Sequence, residues 1–122
     1  MQGLASAAHV GNAQSESILA NNLGRLYLGL GLYDQARADA DAAVRLARAR
    51  DDDQRLGTFL ITLGRAYSGM GQHELARETL REAYTLAKSC DDHATVAHAL
   101  ISLAHLGLAA GGGGAVRGHH DA

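Results

Sequence analysis

The feature that most constrains this chain is an internal repeat. The stretch "LGRLYLGLG" at 23–31 returns as "LGRAYSGMG" at 63–71, which is a shift of 63 − 23 = 40. When 17–56 is aligned with 57–96 at this shift, 13 of the 40 positions are identical and no gap is needed. Periods of roughly 20 to 50 residues are typical of solenoids, in which each repeat packs against its neighbours. We therefore expect a stack of similar units.

Each repeat is predicted to contain two helices, because apolar residues recur in it at helical spacing. Gly31 and Gly71 would end the first helix as left-handed C-cap residues. The second helix is expected at about 33–50 and again at about 73–89, with alanines on one face and charged residues around the rest. Acidic pairs offer N-caps for the helix that follows: Asp52 with Asp53, and Asp91 with Asp92.

Small and aromatic residues repeat where the two helices should meet. Gly24 and Gly64 lack a Cβ, so a neighbouring helix can approach closely at these positions. Tyr27 and Tyr67, each one helical turn later, would fill the space that remains between the two helices. The short stretch recurs because the same helix–helix contact recurs.

The repeat divides the chain into five segments. These are a partial second helix of a preceding repeat at 1–12, repeats at 13–56 and 57–96, a lone capping helix at 97–110 and a disordered glycine-rich tail at 111–122. The pattern suggests a fragment of a longer array, with a naturally short protein as the alternative.

Composition places the chain among all-α solenoids. Hydrophobic residues make up 47%, charged residues 20% and aromatic residues 4%, and there is no proline, so the core must be built mainly from alanine and leucine. The net charge of −2 gives no general attraction to nucleic acid or to an anionic membrane. No stretch of about 18 apolar residues is present, and the single Cys90 cannot form an intramolecular disulfide, so we expect a cytoplasmic chain without a membrane partner.

Catalytic, metal and cofactor sites are not predicted. His98 and His105 share a helix face but stand two turns apart, about 10 Å along the axis, too far to hold one metal ion unaided. The "GGGG" run at 111–114 leads into no helix, unlike a dinucleotide-binding loop. Cys90 lies beside two aspartates, which disfavour a reactive thiolate. We expect no cofactor, and an enzyme is the least favoured class of function.

The duplicated residues resemble tetratricopeptide repeats, whose signature includes Leu-Gly, then Tyr, then Ala in the next helix followed by a bulky residue. The matching residues are Leu23, Gly24, Tyr27, Ala36 and Ala43 in one repeat, and Leu63, Gly64, Tyr67, Ala76, Leu80 and Ala83 in the other. The usual Trp is replaced by Ala20 and Leu60, Ala40 replaces the bulky residue, and no closing Pro follows. The long period and "LANNLG" are similar to the longer variety found in kinesin light chains and in arrays of bacterial signalling ATPases and transcriptional regulators. The resemblance covers about 4–110.

A polar stripe follows the first helix of each unit. Thr95, His98, Ser102 and His105 are spaced 3, 4 and 3 positions apart, which places them on one helix face. The equivalent positions are Arg55, Thr58, Thr62 and Arg65 one repeat earlier, and Ser15, Ile18, Asn22 and Arg25 two repeats earlier. The resemblance implies that this face lines a concave peptide groove. The predicted peptide-binding residues are Asn22, Arg25, Thr58, Thr62, Arg65, His98, Ser102 and His105.

The chemistry of the stripe suits an extended, acidic peptide. Asn22 can bond to a peptide backbone, and Arg25 and Arg65 can each bind a carboxylate with two hydrogen bonds. The alternative is that the stripe is merely solvated and that each Arg pairs with an acid such as Asp39 or Asp41.

Two functions follow from these patterns. The first is a protein-interaction module whose groove binds a peptide segment, with acidic residues favoured and no nucleic acid or membrane partner. The alternative is a structural or regulatory fragment of a larger bacterial signalling ATPase or transcriptional regulator, which works by self-association or autoinhibition. Because helix 97–110 has few polar residues outside its stripe, we also expect it to fray or to form a homo-oligomer.

Overall fold

The computed structural model describes the backbone of 2–110 and the side chains of 13–107, and the predicted tail at 111–122 lies outside them. Over this part of the chain the fold is an all-α solenoid, as the repeat predicts. Its five helices are α1 (Gln2–Gly29), α2 (Tyr33–Ala49), α3 (Asp53–Gly69), α4 (His73–Ser89) and α5 (His93–Ala110). Each helix packs against the next, and α3 also contacts α1 and α5.

Every turn between helices contains a residue with positive φ, and these residues recur at half the repeat period. They are Gly31 (φ 75°), Asp51 (φ 53°), Gly71 (φ 81°) and Asp91 (φ 55°). In each turn the next backbone N–H donates to the carbonyl of the fifth residue back, at 2.9 Å, which closes the preceding helix with its end groups satisfied. The left-handed C-caps predicted at Gly31 and Gly71 are confirmed, and aspartate takes the same place after the second helices.

The two residues of each acidic pair have different structural roles, and only one of them is an N-cap. Asp52 and Asp92 are N-caps, since the side chain of each accepts a hydrogen bond from the backbone N–H of the third residue on, at 3.3 and 3.1 Å. Asp53 is already the first residue of α3, and Asp91 is the left-handed residue that ends the helix before it. Each acidic pair thus supplies the predicted N-cap, through Asp52 in one pair and Asp92 in the other.

The core is thin because alanine forms the inner face of the second helices. In α2 these buried alanines are Ala36, Ala40, Ala43 and Ala47. In α4 the corresponding residues are Ala76, Leu80, Ala83 and Ala87. The larger buried side chains come mainly from the first helices, with Leu60 and Leu106 almost fully enclosed. Alanines at this spacing let each second helix lie close between two first helices.

The recurrence of glycine at one position of the repeat also reflects close helix contact. A Cβ at Gly64 would lie 2.7 Å from the Cγ and Cδ2 atoms of Leu80, and one at Gly24 would lie 3.3 Å from the carbonyl oxygen of Ala36. Neither position has room for a larger residue without movement of its neighbour. Tyr67 is half-buried against the core, as expected for a ring that fills the remaining space.

Two segment boundaries differ from the sequence pattern. α1 passes through positions 12 and 13 as one continuous helix, so the structure does not separate 1–12 from the first repeat. The assignment of 1–12 to a preceding repeat stays a prediction. The last helix begins at His93, one turn before the expected position 97, because Asp92 caps it there. No helix in 2–110 is both long and apolar enough to cross a membrane.

Candidate functional site

A concave groove of about 460 Å³ lies on the face where the first helices meet. Its walls come from α3 and α5, and the side chain of Arg25 reaches it from α1. The lining residues are Arg25, Thr58, Ile61, Thr62, Arg65, Ala94, Thr95, His98, Ile101, Ser102 and His105. The groove is therefore mixed in character, with hydroxyl, imidazole and guanidinium groups among small and branched apolar side chains.

Seven of the eight residues predicted from the polar stripe line this groove, and Asn22 is the exception. The position of Asn22 corresponds to Thr62 in the next repeat. In α3 that position faces the preceding first helix, since the methyl group of Thr62 lies 3.2 Å from a Cβ built on Gly24. Asn22 therefore points away from α3 and is exposed on the outer side of α1.

Thr62 lines the groove but is buried, with 4% of its surface exposed. Its contact with Gly24 makes it part of the α1–α3 packing. Thr95 is also buried, and its hydroxyl donates to Asp92 Oδ2 at 2.6 Å. The exposed polar side chains of the groove are thus fewer than the stripe suggests. Thr58, Arg25, Arg65, His98 and His105 are exposed, and Ser102 is partly exposed.

Positive charge dominates this part of the surface. None of the lining residues is acidic, and within the described side chains no ion pair involves Arg25 or Arg65. The solvated alternative expected each of these arginines to pair with an acid such as Asp39 or Asp41. Asp41 instead lies 3.4 Å from Arg45, within its own helix. The two guanidinium groups are therefore available to an external anion.

Arg55, on the same stripe, is engaged by its neighbours. It contacts Asp52 Oδ2 at 3.1 Å. With the Gln14 amide oriented so that its oxygen faces Arg55, that oxygen accepts two further hydrogen bonds at 3.0 and 3.2 Å. Arg55 therefore joins α1 to α3 and serves as an internal contact.

Two smaller concavities extend the groove along the axes of α3 and α5. One of about 220 Å³ shares Arg65, Ser102 and His105 with it, and another of about 250 Å³ shares Thr58. Together they follow α3 from Gln54 to Gly69, which is about 22 Å at about 1.5 Å of rise per residue. The surface thus has the length of a short extended peptide, roughly seven residues at about 3.3 Å each.

The two ends of the extended groove differ. At one end Asp92 accepts hydrogen bonds from the hydroxyl and the backbone N–H of Thr95, and these bonds lower the pKa of its carboxyl group. At the other end the Tyr33 ring lies directly over Gly69, in contact with the place where a Cβ would be. The groove therefore runs from a fixed carboxylate to an aromatic ring.

The sequence pattern missed Tyr33, Ile61 and Ile101 as groove residues. Ile61 and Ile101 stand one repeat apart, immediately before Thr62 and Ser102, so the repeat itself was an available signal. Tyr33 has no such signal, because it belongs to a second helix and reaches the groove only by crossing the end of α3. In the part of the chain with described side chains, no three His, Cys, Asp or Glu residues gather as metal ligands.

Comparison with known families agrees with this architecture. A family model for the tetratricopeptide repeat matches 15–89, which is more than half of the chain. Neither curated proteins nor solved structures give a match. The match identifies the type of repeat, and the likeness to the kinesin-light-chain variety stays a prediction. With its evenly spaced turns and five sequentially packed helices, the chain belongs to the tetratricopeptide repeat family.

Proposed function

We propose that this protein is a non-catalytic interaction module that binds an acidic peptide segment along the α3–α5 groove. Tetratricopeptide repeats are in general protein-interaction modules, and the peptide and its charge are our extension of that role. The observation that carries the proposal is the pair Arg25 and Arg65, which are exposed at the central 460 Å³ part of the groove. No acidic residue lines that part, and neither arginine has an ion-pair partner in the described chain.

The remaining groove residues suit an extended backbone. The Thr58 and Ser102 hydroxyls can each donate to and accept from peptide groups. Ile61 and Ile101 offer apolar contact for a side chain between them. When one guanidinium group binds a carboxylate with two hydrogen bonds, the attraction between opposite charges is combined with a defined orientation of the carboxylate. The preferred ligand is a segment of about seven residues with acidic side chains near its middle.

A displayed library of random heptapeptides tests this proposal. We expect selection on the full chain to enrich peptides with Asp and Glu, and binding to weaken as salt is raised. The double variant Arg25→Glu/Arg65→Glu should lose at least tenfold in affinity for the enriched peptides. The matched control is Arg45→Glu/Arg81→Glu, which makes the same charge change on α2 and α4 outside the groove.

The control variant should bind the enriched peptides as the original chain does. Equal losses in both variants would show that the peptides respond to overall charge. Selection without acidic enrichment would overturn the assignment of ligand chemistry. Circular dichroism of each variant checks that helical content is unchanged.

A second candidate function is structural or regulatory, within a larger bacterial signalling ATPase or transcriptional regulator. It is favoured by large apolar side chains exposed on the end helices, such as Leu19 (59%) and Leu26 (57%) on α1 and Leu100 (50%) on α5. In this role the chain would self-associate or hold a larger protein inactive. Sedimentation velocity over a range of concentrations tests self-association, which Leu26→Glu or Leu100→Glu should abolish.

We place either role in the cytoplasm. Cys90 is a free cysteine in the structure, and a lone thiol fits a reducing compartment better than an oxidising one. Localisation of the tagged chain in cells would test this placement directly.

A further inference from the structure

Within the described part of the chain, one face of α5 is exposed to solvent. Ala97, Leu100, Ala104 and Gly107 are spaced 3, 4 and 3 positions apart, and all four are exposed. We call this set the α5 end face. Leu100 alone leaves half of its surface in contact with solvent. The face is apolar and nearly flat, since three of its four residues are alanine or glycine.

The equivalent face of α3 shows what covers such a surface. One repeat earlier stand Gly57, Leu60, Gly64 and Tyr67, and α4 contacts this face at Gly57 and Gly64. A Cβ on Gly57 would lie 3.7 Å from the carbonyl oxygen of Ala83, in ordinary contact with α4. In α1 the position equivalent to Gly64 is Gly24, which meets α2 at Ala36 and Ala40. Each of these first helices therefore uses this face to receive a second helix.

We propose that the α5 end face binds, in trans, a separate amphipathic helix of the α2 type. Such a helix carries small residues at i, i+4, i+7 and i+11, and charged residues elsewhere. In α2 those four positions are Ala36, Ala40, Ala43 and Ala47, each at most 1% exposed. The proposal concerns a surface separate from Arg25 and Arg65 and does not depend on the peptide groove.

The residue at position 104 selects between the two kinds of second helix that this chain contains. Ala104 stands where α3 has Gly64, and a Cβ there would lie 2.7 Å from Leu80 if an α4-type helix docked in the same way. An α2-type helix has Ala40 in place of Leu80. At Gly24 the nearest α2 atoms to an added Cβ are 3.3 and 3.5 Å away, so a shift of a few tenths of an ångström suffices. The α5 end face thus prefers alanine at i+4.

A second intact copy is a poorer match to the α5 end face than a free helix of this kind. Its α2 and α4 alanines are already buried between first helices. On α1 it offers large exposed apolar residues, with Leu19 and Leu26 at 59% and 57% exposure, and on its own α5 end face Leu100 stands among the small residues. Large side chains opposite Ala104 would hold two helices apart. The favoured occupant is therefore a free helix with small residues on one side.

Fluorescence anisotropy with a defined probe tests this inference. The probe is a labelled synthetic peptide that spans 32–50, titrated with the full chain of 122 residues. We expect saturable binding that Leu100→Glu weakens at least tenfold, because a carboxylate would then be buried against apolar surface. Leu100 is half exposed, so this substitution should leave the fold intact, which circular dichroism checks.

A compensating pair of substitutions makes the test specific. The Ala40→Leu peptide should bind the original chain several-fold more weakly than the Ala40 peptide. Ala104→Gly in the chain should restore its binding, because it recreates the pairing of Gly64 with Leu80. The groove variant Arg25→Glu/Arg65→Glu should bind the probe unchanged, which separates this surface from the groove.

Three results would overturn the inference. One is the absence of saturable binding. Another is binding that Leu100→Glu does not change, which would place the probe elsewhere, for example in exchange with the chain's own α2. The third is a dimer of the chain that does not bind the probe and that Leu100→Glu dissociates. In that case a second copy would be the occupant of the α5 end face.

Discussion

At the scale of single residues, two glycines in different first helices should respond oppositely to alanine. Gly64→Ala should lower the free energy of unfolding by about 1 to 3 kcal/mol, because its Cβ would meet the enclosed side chain of Leu80. Gly107→Ala should raise it by up to about 1 kcal/mol, because nothing lies within 4 Å and alanine favours helix. Urea unfolding of both variants measures the difference. A Gly64→Ala variant that is as stable as the original chain, or more stable, would mean that Leu80 moves aside at little cost.

The cap at Asp92 carries a pH dependence with a defined sign. Hydrogen bonds from Thr95 lower the pKa of the Asp92 carboxyl group in the folded chain, so the folded state favours the charged form. Its contribution is present above the ordinary aspartate pKa of about 3.9 and is lost as the pH falls through the lower folded value. Asp92→Ala should therefore cost about 0.5 to 2 kcal/mol at pH 7 and progressively less below about pH 4.

Urea unfolding at pH 7 and pH 3 measures this change, with Asp92→Asn as its control. Asparagine can cap a helix without a charge, so its effect on stability should vary little between the two pH values. A loss for Asp92→Ala that is as large at pH 3 as at pH 7 would mean that the carboxylate charge does not stabilise the cap.

The register of the repeat predicts which residues share a face, but not which of them are buried. It places Arg65 and His105 on one face, and both line the groove in the structure. It could not show that Thr62 is buried, because that depends on how closely α1 approaches at Gly24. It also could not exclude Asn22, which lies on the outer side of α1, away from α3.

At the scale of the helices and turns, the four evenly spaced turns share one backbone conformation, so a residue that suits one turn should also suit the others. Each needs one residue in the left-handed region, which glycine adopts freely and other residues adopt at a cost of about 1 to 2 kcal/mol, less for aspartate. Asp91→Gly should therefore stabilise the fold by up to about 1 kcal/mol, and Gly71→Ala should destabilise it by about 1 kcal/mol. Thermal unfolding measures both, and a destabilising Asp91→Gly would show that the aspartate side chain itself supports the turn.

Helix boundaries were predictable because glycine and aspartate mark them at fixed intervals. The expected second helices at 33–50 and 73–89 agree with α2 and α4 to within one position. The repeat register placed the lone capping segment at 97–110, whereas α5 begins at His93, directly after the N-cap that the acidic pair had offered at Asp92. Gly11 and Asn12 stand one repeat before Asp51 and Asp52, where α2 gives way to α3, but α1 continues through them without a turn.

At the scale of the whole molecule, stability should decrease from the middle of the solenoid to its ends. In a repeat protein each unit is stabilised by its neighbours. Among the described helices, α3 contacts α1, α2, α4 and α5, while α5 contacts only α3 and α4. The open α5 end face and its surroundings leave Leu100 and Ile101 about half exposed, so less apolar burial opposes local opening there. We expect backbone amides of α5 to exchange with solvent at least ten times faster than those of α3.

Hydrogen exchange followed by mass spectrometry measures this difference in exchange rate. The peptide that spans 32–50 should reduce the difference by covering the α5 end face. Equal protection of α3 and α5 in a dilute, monomeric sample would show that the end helix needs no partner to stay folded.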